Sequence, residues 1–321
     1  MIPEPIHWAN TTASMTRTVL RTLAANRLSL AGALILAALL LLSLAAPALT
    51  RWQVLHEPIQ QDVKGLDEDG MPLPPSRTYL LGTDNLGRDV LARVLHGTRV
   101  SLSIGVGAML TATLIGVVVG VIAGFRGGQV DLLLMRFTEM NMTIPGILLA
   151  VAFAGVMDGR VLHLHPKALP WHWLDVTLAR GMVSLFIIIG FVCWPGMVRV
   201  VRAQVLAIKE RDFVTASRAL GASDARIIFH HILPNILPTV IVLAVMLTAS
   251  TIMLEAGLGY LGIGVPPPAP TWGSMINDGQ PYFIAAPHLV IVPGLAIVLT
   301  VLAFNLLGQG LQEVLEPKRK G

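Results

Sequence analysis

Charge is what this 321-residue sequence has least of. Only 13% of its residues are Asp, Glu, Lys or Arg, about half the share a soluble domain carries. The shortfall is concentrated in apolar blocks of roughly twenty residues, the length a helix needs to cross a bilayer's hydrocarbon core. Cysteine is nearly absent as well. Cys193 is the only one and lies inside an apolar stretch, which excludes a disulfide framework and gives no sign of redox chemistry. Three Tyr and no basic patch interleaved with aromatics argue against nucleic acid as a partner. The net charge of +4 and pI near 9.6 come instead from Lys and Arg beside apolar spans, where they set orientation. No Gly-x-x-x-x-Gly-Lys-Ser/Thr stretch occurs, so the chain has no phosphate-cradling loop of its own.

What is present is hydrophobic: 54% of the residues, with a mean hydropathy of +0.70. Six spans are expected, over about Leu28–Ala48, Arg99–Phe125, Val130–Met157, Leu178–Val198, Asn235–Leu261 and His288–Leu307. The first follows a tail carrying Arg17, Arg21 and Arg27. Its apolar core is too long for a signal peptide, so it reads as an uncleaved helix. The expected organisation is a tail over 1–27, a first span over 28–49 and an outer loop over 50–97. A core domain over 98–310 follows, containing a charged loop at 199–234, and a second tail covers 311–321. The fold class is an all-α membrane protein.

Gly116, Gly120 and Gly124 recur every four residues, placing a smooth stripe on one face of the second span, where small residues let backbones approach closely. Most Lys and Arg fall on segments that share a side if both termini are cytoplasmic, which supports that orientation. Trp52, Trp171, Trp173 and Trp272 then fall on the outer side, as an interfacial belt would. The stretches 55–75 and 158–175 have no assigned role. His163, His165 and His172 could approach a metal, but no carboxylate accompanies them. Asp131, Arg136 and Glu139 lie at helical spacing, and Arg136–Glu139 is a candidate ion pair.

The charged stretch reads as two short helices around a corner. Asp212 can cap the first, on which Phe213, Ala216 and Leu220 form an apolar stripe. Gly221 is placed to end it in the left-handed conformation, Ser223 can cap the second, and Pro234 should stop that helix. Physically this is a helical corner with small residues, Ala216 and Ser217, outward. The order Thr215-Ala216-Ser217, Gly221, then Leu233-Pro234 resembles the EAA motif of ATP-binding-cassette importer permeases. Thr215 replaces that motif's Glu, and His231 its Ile.

Further segments resemble the C-type subunit of the dipeptide/oligopeptide/nickel branch: Leu81 to Val90, Gly127 to Asp131, Glu255 to Gly262, and Thr271-Trp272-Gly273. The resemblance covers about residues 15 to 316. It implies a type I importer permease fold in the inner membrane, with a second permease subunit, two ATPase subunits and an extracytoplasmic binding protein as partners. ATP and Mg would be held by the ATPases and no cofactor by this chain, which is not itself an enzyme. The motif would form a coupling helix, with Arg211, Asp212, Phe213, Thr215, Ala216, Ser217, Arg218, Gly221 and Pro234 at the docking surface. Glu255, a carboxylate within an apolar span, should face the bundle or the pore. Met253 is a candidate pore residue, although both it and Met246 fit ordinary packing. A stand-alone secondary transporter is the alternative. It would need paired intramembrane charges or broken helices in two related halves.

Overall fold

The computed structural model describes residues 27–157 and 181–315. Among these, helices account for the architecture, and pairing between extended segments is limited to the isolated bridges Leu66–Pro72 and Thr83–Asp89. Helix α1 covers Arg27–Arg51, α2 Val90–Arg126, α3 Gly128–Thr143, α4 Gly146–Met157 and α5 Met182–Lys209. Helices α6 (Asp212–Ala219) and α7 (Asp224–Ile227) follow. A π-helical stretch at Ile228–Ile232 leads into α8 (Leu233–Tyr260), α9 (Trp272–Gly279) and α10 (His288–Leu315). Five helical runs are long and apolar enough to cross a membrane, and the bent pair α3–α4 makes six if it counts as one span. His163, His165, His172, Trp171 and Trp173 lie outside the described residues.

The bundle is organised by α2 packed against α5. A Cβ at Gly120 would stand 2.8 Å from Val201 Cβ and 2.9 Å from the Val198 carbonyl. One at Gly124 would stand 2.8 Å from Val205 Cβ and 3.0 Å from the Arg202 carbonyl. Gly116 takes Met197 in the same way. The glycine stripe therefore receives a matching stripe of Met197, Val201 and Val205, the close backbone contact that drives association where lipid is as apolar as the side chains. Gly32 of α1 repeats the device against Ala303 of α10.

Four boundaries differ from expectation. Helix α2 begins at Val90 rather than near Arg99, because the Asp89 carboxylate accepts from the Leu91 N–H and caps it there. Helix α5 does not stop at Val198 but continues to Lys209. No Gly or Pro interrupts Arg199–Lys209, and Val201 and Val205 keep one face buried, so that face extends the helix. The expected single helix Val130–Met157 is broken by 94°. Pro145 holds Ile144 in an extended conformation (φ −94°, ψ 129°), as a residue before proline prefers. Pro234 does not stop its helix, as expected, but sits in the first turn of α8. The wider π turn just before it relieves the ring's clash with the preceding turn.

Trp272 is not an interfacial residue. It is fully buried, with its backbone N–H donating to Ser101 Oγ (3.3 Å) and its indole to the Val94 carbonyl (3.4 Å). Trp52, by contrast, is 74% exposed.

Replacing Gly120 by Leu should separate α2 from α5 and destabilise the bundle by about 3 kcal/mol. Gly196→Ala, where a Cβ meets no atom within 4 Å, should be neutral. Thermal unfolding of the two purified variants in detergent measures the difference.

Candidate functional site

At one end of the bundle, the extension of α5 carries a small helical corner. Two links anchor this extension. Arg202 donates from Nε and Nη2 to both carboxylate oxygens of Asp131, at 2.5 Å each, and Lys209 Nζ donates to the Gly124 carbonyl at 3.1 Å. Helix α6 then docks through one side chain, Val214, which is fully buried beside Val205, Ile227 and Ile232.

The corner ends as the glycine spacing requires. Gly221 has φ +82°; its N–H bonds the Arg218 carbonyl, and the Ala222 N–H bonds the Ser217 carbonyl, each at 3.0 Å. This is the paired-hydrogen-bond helix ending that needs a left-handed residue. Ser223 caps α7, accepting from the Arg226 N–H at 3.4 Å. Asp212 does not cap α6. Arg211 occupies that position, and Asp212 is the first helical residue, where its charge still complements the helix dipole.

Of the nine residues singled out for docking, eight gather on this corner. Arg211 is exposed at the N-cap, Asp212, Phe213, Thr215, Ala216 and Arg218 are exposed on α6, and Gly221 is exposed just beyond it. Ser217 is half-buried and turns inward: its hydroxyl donates to the Phe213 carbonyl (2.8 Å) and meets His231 Nε2 at 3.1 Å. His231 also lies against the Phe213 ring, with centroids 5.9 Å apart. The residue in place of the motif's Ile thus braces α6 against the chain leading into α8. Pro234 is half-buried in α8 beyond the π turn and is not on the exposed face. The apolar stripe is unburied: Phe213 is 44% and Leu220 89% exposed. Arg218 lies 5.9 Å over the Phe125 ring. Beside it opens a cleft of about 480 Å³ lined by Arg126, Gln129, Arg218 and Asp224 among others.

At the opposite end the motif from Leu81 to Val90 folds into an ion cluster that sequence reasoning did not assemble. Asp84 accepts from Arg88 Nε at 2.6 Å and lies 3.2 Å from Arg93 Nε. Both arginines reach Asp278 of α9, at 3.7 and 3.4 Å. Asp84, Arg88 and Arg93 are buried. Burial pushes the Asp278 carboxyl above its ordinary range, with the Arg93 and Arg88 guanidiniums pulling it back. Arg93 within an apolar helix start was the one available sign that a carboxylate partner had to exist. Arg136 and Glu139 pair at 3.2 Å on an exposed face. Asp131, offered as their companion, belongs to Arg202 instead.

The two pore candidates do not share a surface. Glu255 is 1% exposed, with Ser101 and Thr271 as the polar neighbours of its carboxyl. Met253 is 60% exposed, whereas Met246 packs on Gly308 of α10.

Residues 116–321 match the family described as the binding-protein-dependent transport system inner membrane component. The chain belongs to that family. Residues 14–75 of the permease match the N-terminal TM domain of oligopeptide transport permease C. The permease is 34% identical over 310 residues to the dipeptide transport system permease protein DppC of Alkalihalophilus pseudofirmus, covering 97% of this chain and 92% of that one. It is 34% identical over 293 residues to the oligopeptide transport system permease protein OppC of Bacillus subtilis, covering 91% and 86%. It is 37% identical over 254 residues to the glutathione transport system permease protein GsiD of Pectobacterium atrosepticum, covering 79% and 77%. Its fold is similar to that of the MetNI methionine ABC transporter in an inward facing conformation, with a TM-score of 0.51 at 18% identity, over 70% of this chain and 97% of that chain. The permease is therefore an all-α, multi-pass membrane protein with an ABC importer permease fold.

Asp84→Asn should leave two buried guanidiniums short of a counter-charge and cost about 3 kcal/mol. Asp278→Asn, at a site 43% exposed, should cost distinctly less. Melting of each variant in detergent orders the two.

Proposed function

We propose that this permease is the pore-forming half of an ATP-driven peptide importer and that α6 transmits the closure of an ATPase to the bundle. The observation that carries this reading is the build of the corner itself. An eight-residue helix is fixed from below by buried Val214 and at its end by Gly221, while Phe213, Ala216 and Leu220 remain uncovered. An exposed apolar stripe on a rigid, charged surface outside the membrane is the mark of a protein partner.

The remaining parts follow from that docking. The chain has no phosphate-binding loop, so ATP and Mg reside in two ATPase subunits that meet α6 and its counterpart on a second permease subunit. Arg211, Asp212 and Arg218 flank the apolar stripe and steer the encounter. Because α6 is tied through α5 to the glycine contact with α2, movement of the ATPase would turn helices as rigid bodies. On this reading the α6 end and both termini face the cytoplasm, in the sense the Lys and Arg distribution favours. An extracytoplasmic binding protein would deliver solute to the opposite end. Peptides are the substrate class favoured here, because three of the relatives are named for the transport of dipeptides, oligopeptides and glutathione.

Gly221→Leu forces a side chain into the left-handed region, a cost of about 1–2 kcal/mol, and adds bulk at the exposed corner. Expected are normal membrane insertion, loss of the ATPase subunits on co-purification, and loss of peptide uptake. Undiminished uptake by this variant would overturn the docking assignment. Uptake in vesicles that lack the ATPases but carry an ion gradient would favour a stand-alone secondary transporter.

A further inference from the structure

We propose that the Arg136–Glu139 face of α3 is the surface on which the second permease subunit seats within the membrane, and that this subunit brings counter-charges of its own to the pair. The inference rests on the reading of the chain as one half of a two-permease pore, and it assigns the surface that joins the halves.

The depth of the pair follows from what α3 meets along α5. Asp131 pairs with Arg202, Met135 packs in the cluster of Trp194 and Val198, the Phe137 ring stacks on Trp194 at 5.9 Å, and Asn141 Nδ2 reaches the Phe191 carbonyl at 3.5 Å. Each step forward on α3 is thus a step back along α5. Glu139, between Phe137 and Asn141, stands level with the part of α5 between Trp194 and Phe191. Helix α5 carries no charged side chain from Met182 to Val198. The level of Glu139 is therefore about six residues, or about 9 Å, inside the first α5 charge at Arg199. Asp131, Met135 and the buried Thr138 mark the side of α3 that faces α5. At 3.6 residues per turn Arg136 and Glu139 fall on the other side.

Hydrogen-bonding capacity is left over at that depth. Arg136 Nη1 donates to Glu139 Oε2 at 3.2 Å, and the two side chains are 72% and 56% exposed. Among the described residues, the other guanidinium donors and the second carboxylate oxygen have no partner. Arg136 reaches for a residue one turn deeper instead of extending back to the interface as long cations do. The short Glu139 side chain cannot make that journey at all. Charged groups within a bilayer pair with one another and face protein or a water-filled cavity, not lipid.

The surroundings of the pair decide between protein and water. Leu132, Leu133, Phe137 and Met140 are all exposed around it. The charges disfavour lipid, and four large apolar side chains beside them disfavour water. A protein surface satisfies both, and Phe, Met and Arg are residue types that interface cores gather. In the complex proposed above, the ATPases meet α6 and the binding protein meets the opposite end. The second permease is the partner that shares this depth. The surface it must offer is an apolar helix face carrying an acidic group toward Arg136 and a hydrogen-bond donor toward Glu139.

The test uses the complete complex, purified in detergent through a tag on this chain. Met140→p-benzoylphenylalanine should on illumination form an adduct with the second permease, identified by mass. Leu133 takes the probe if position 140 does not accept it. The exchange Arg136→Glu with Glu139→Arg keeps an ion pair within α3 but presents its charges in reverse order. It should lower the second permease recovered with this chain several-fold, with membrane insertion unchanged. Absence of an adduct, or an adduct confined to lipid or to this chain, in a complex that retains the second permease would overturn the placement. Full recovery of the second permease with the exchanged pair would overturn the counter-charge assignment, because a pair serving α3 alone tolerates the exchange. A wild-type chain that retains no second permease overturns the two-permease reading itself, and the inference with it.

Discussion

The contact between α2 and α5, in which Gly116, Gly120 and Gly124 accept Met197, Val201 and Val205, is the constraint on which both ends of the molecule depend. In lipid no hydrophobic drive pulls helices together, and side chains gain nothing by leaving hydrocarbon for one another. Association comes from close dispersion contact between backbones, and a stripe of hydrogen atoms in place of side chains permits it. With α5 held at that distance for its whole length, its charged extension stands clear of the bundle as a stiff arm, and the corner with α6 has a fixed position.

That arm explains an apparent paradox of the helical corner. Helix α6 is short, and isolated helices of its length are not stable in water. It persists because Val214 is buried beside Val205 of α5, because Gly221 closes its end, and because Ser217 and His231 brace it from the α8 side. The same supports leave Phe213, Ala216 and Leu220 free. Stability and exposure are divided between opposite faces of one element, as the proposed docking role would require.

The opposite end relies on charge instead of glycine. Asp84, Arg88 and Arg93, close together in sequence around the start of α2, are joined there to Asp278 of α9, 185 residues beyond Arg93. Between the two ends lie a buried carboxyl, Glu255, and the helix break at Pro145. The first is shut away against Ser101 and Thr271, and the second opens on the surface of the subunit.

Much was legible without coordinates. Blocks of apolar residues marked the spans, because a bilayer imposes length and composition together. The four-residue glycine repeat announced a close helix contact, and Gly221 announced a left-handed helix end, since both follow from what a missing side chain allows locally. Local rules failed where two tendencies competed and packing chose between them. Pro145 and Pro234 look alike in sequence, yet one breaks its helix and the other is absorbed by a π turn. Arg199 and Arg202 suggested a loop, yet Val201 and Val205 had a glycine groove to fill, and the helix ran on. Asp131 could have joined Arg136 or Glu139 on its own helix, but the tertiary fold gave it to Arg202. Composition and spacing marked which segments are apolar enough to cross a membrane, and the resemblance of several ordered motifs to a known family named the class of permease. Partners distant in sequence, the direction of each side chain and the opening at the break were settled only when the helices met, because those depend on which surfaces come within a few ångströms of one another.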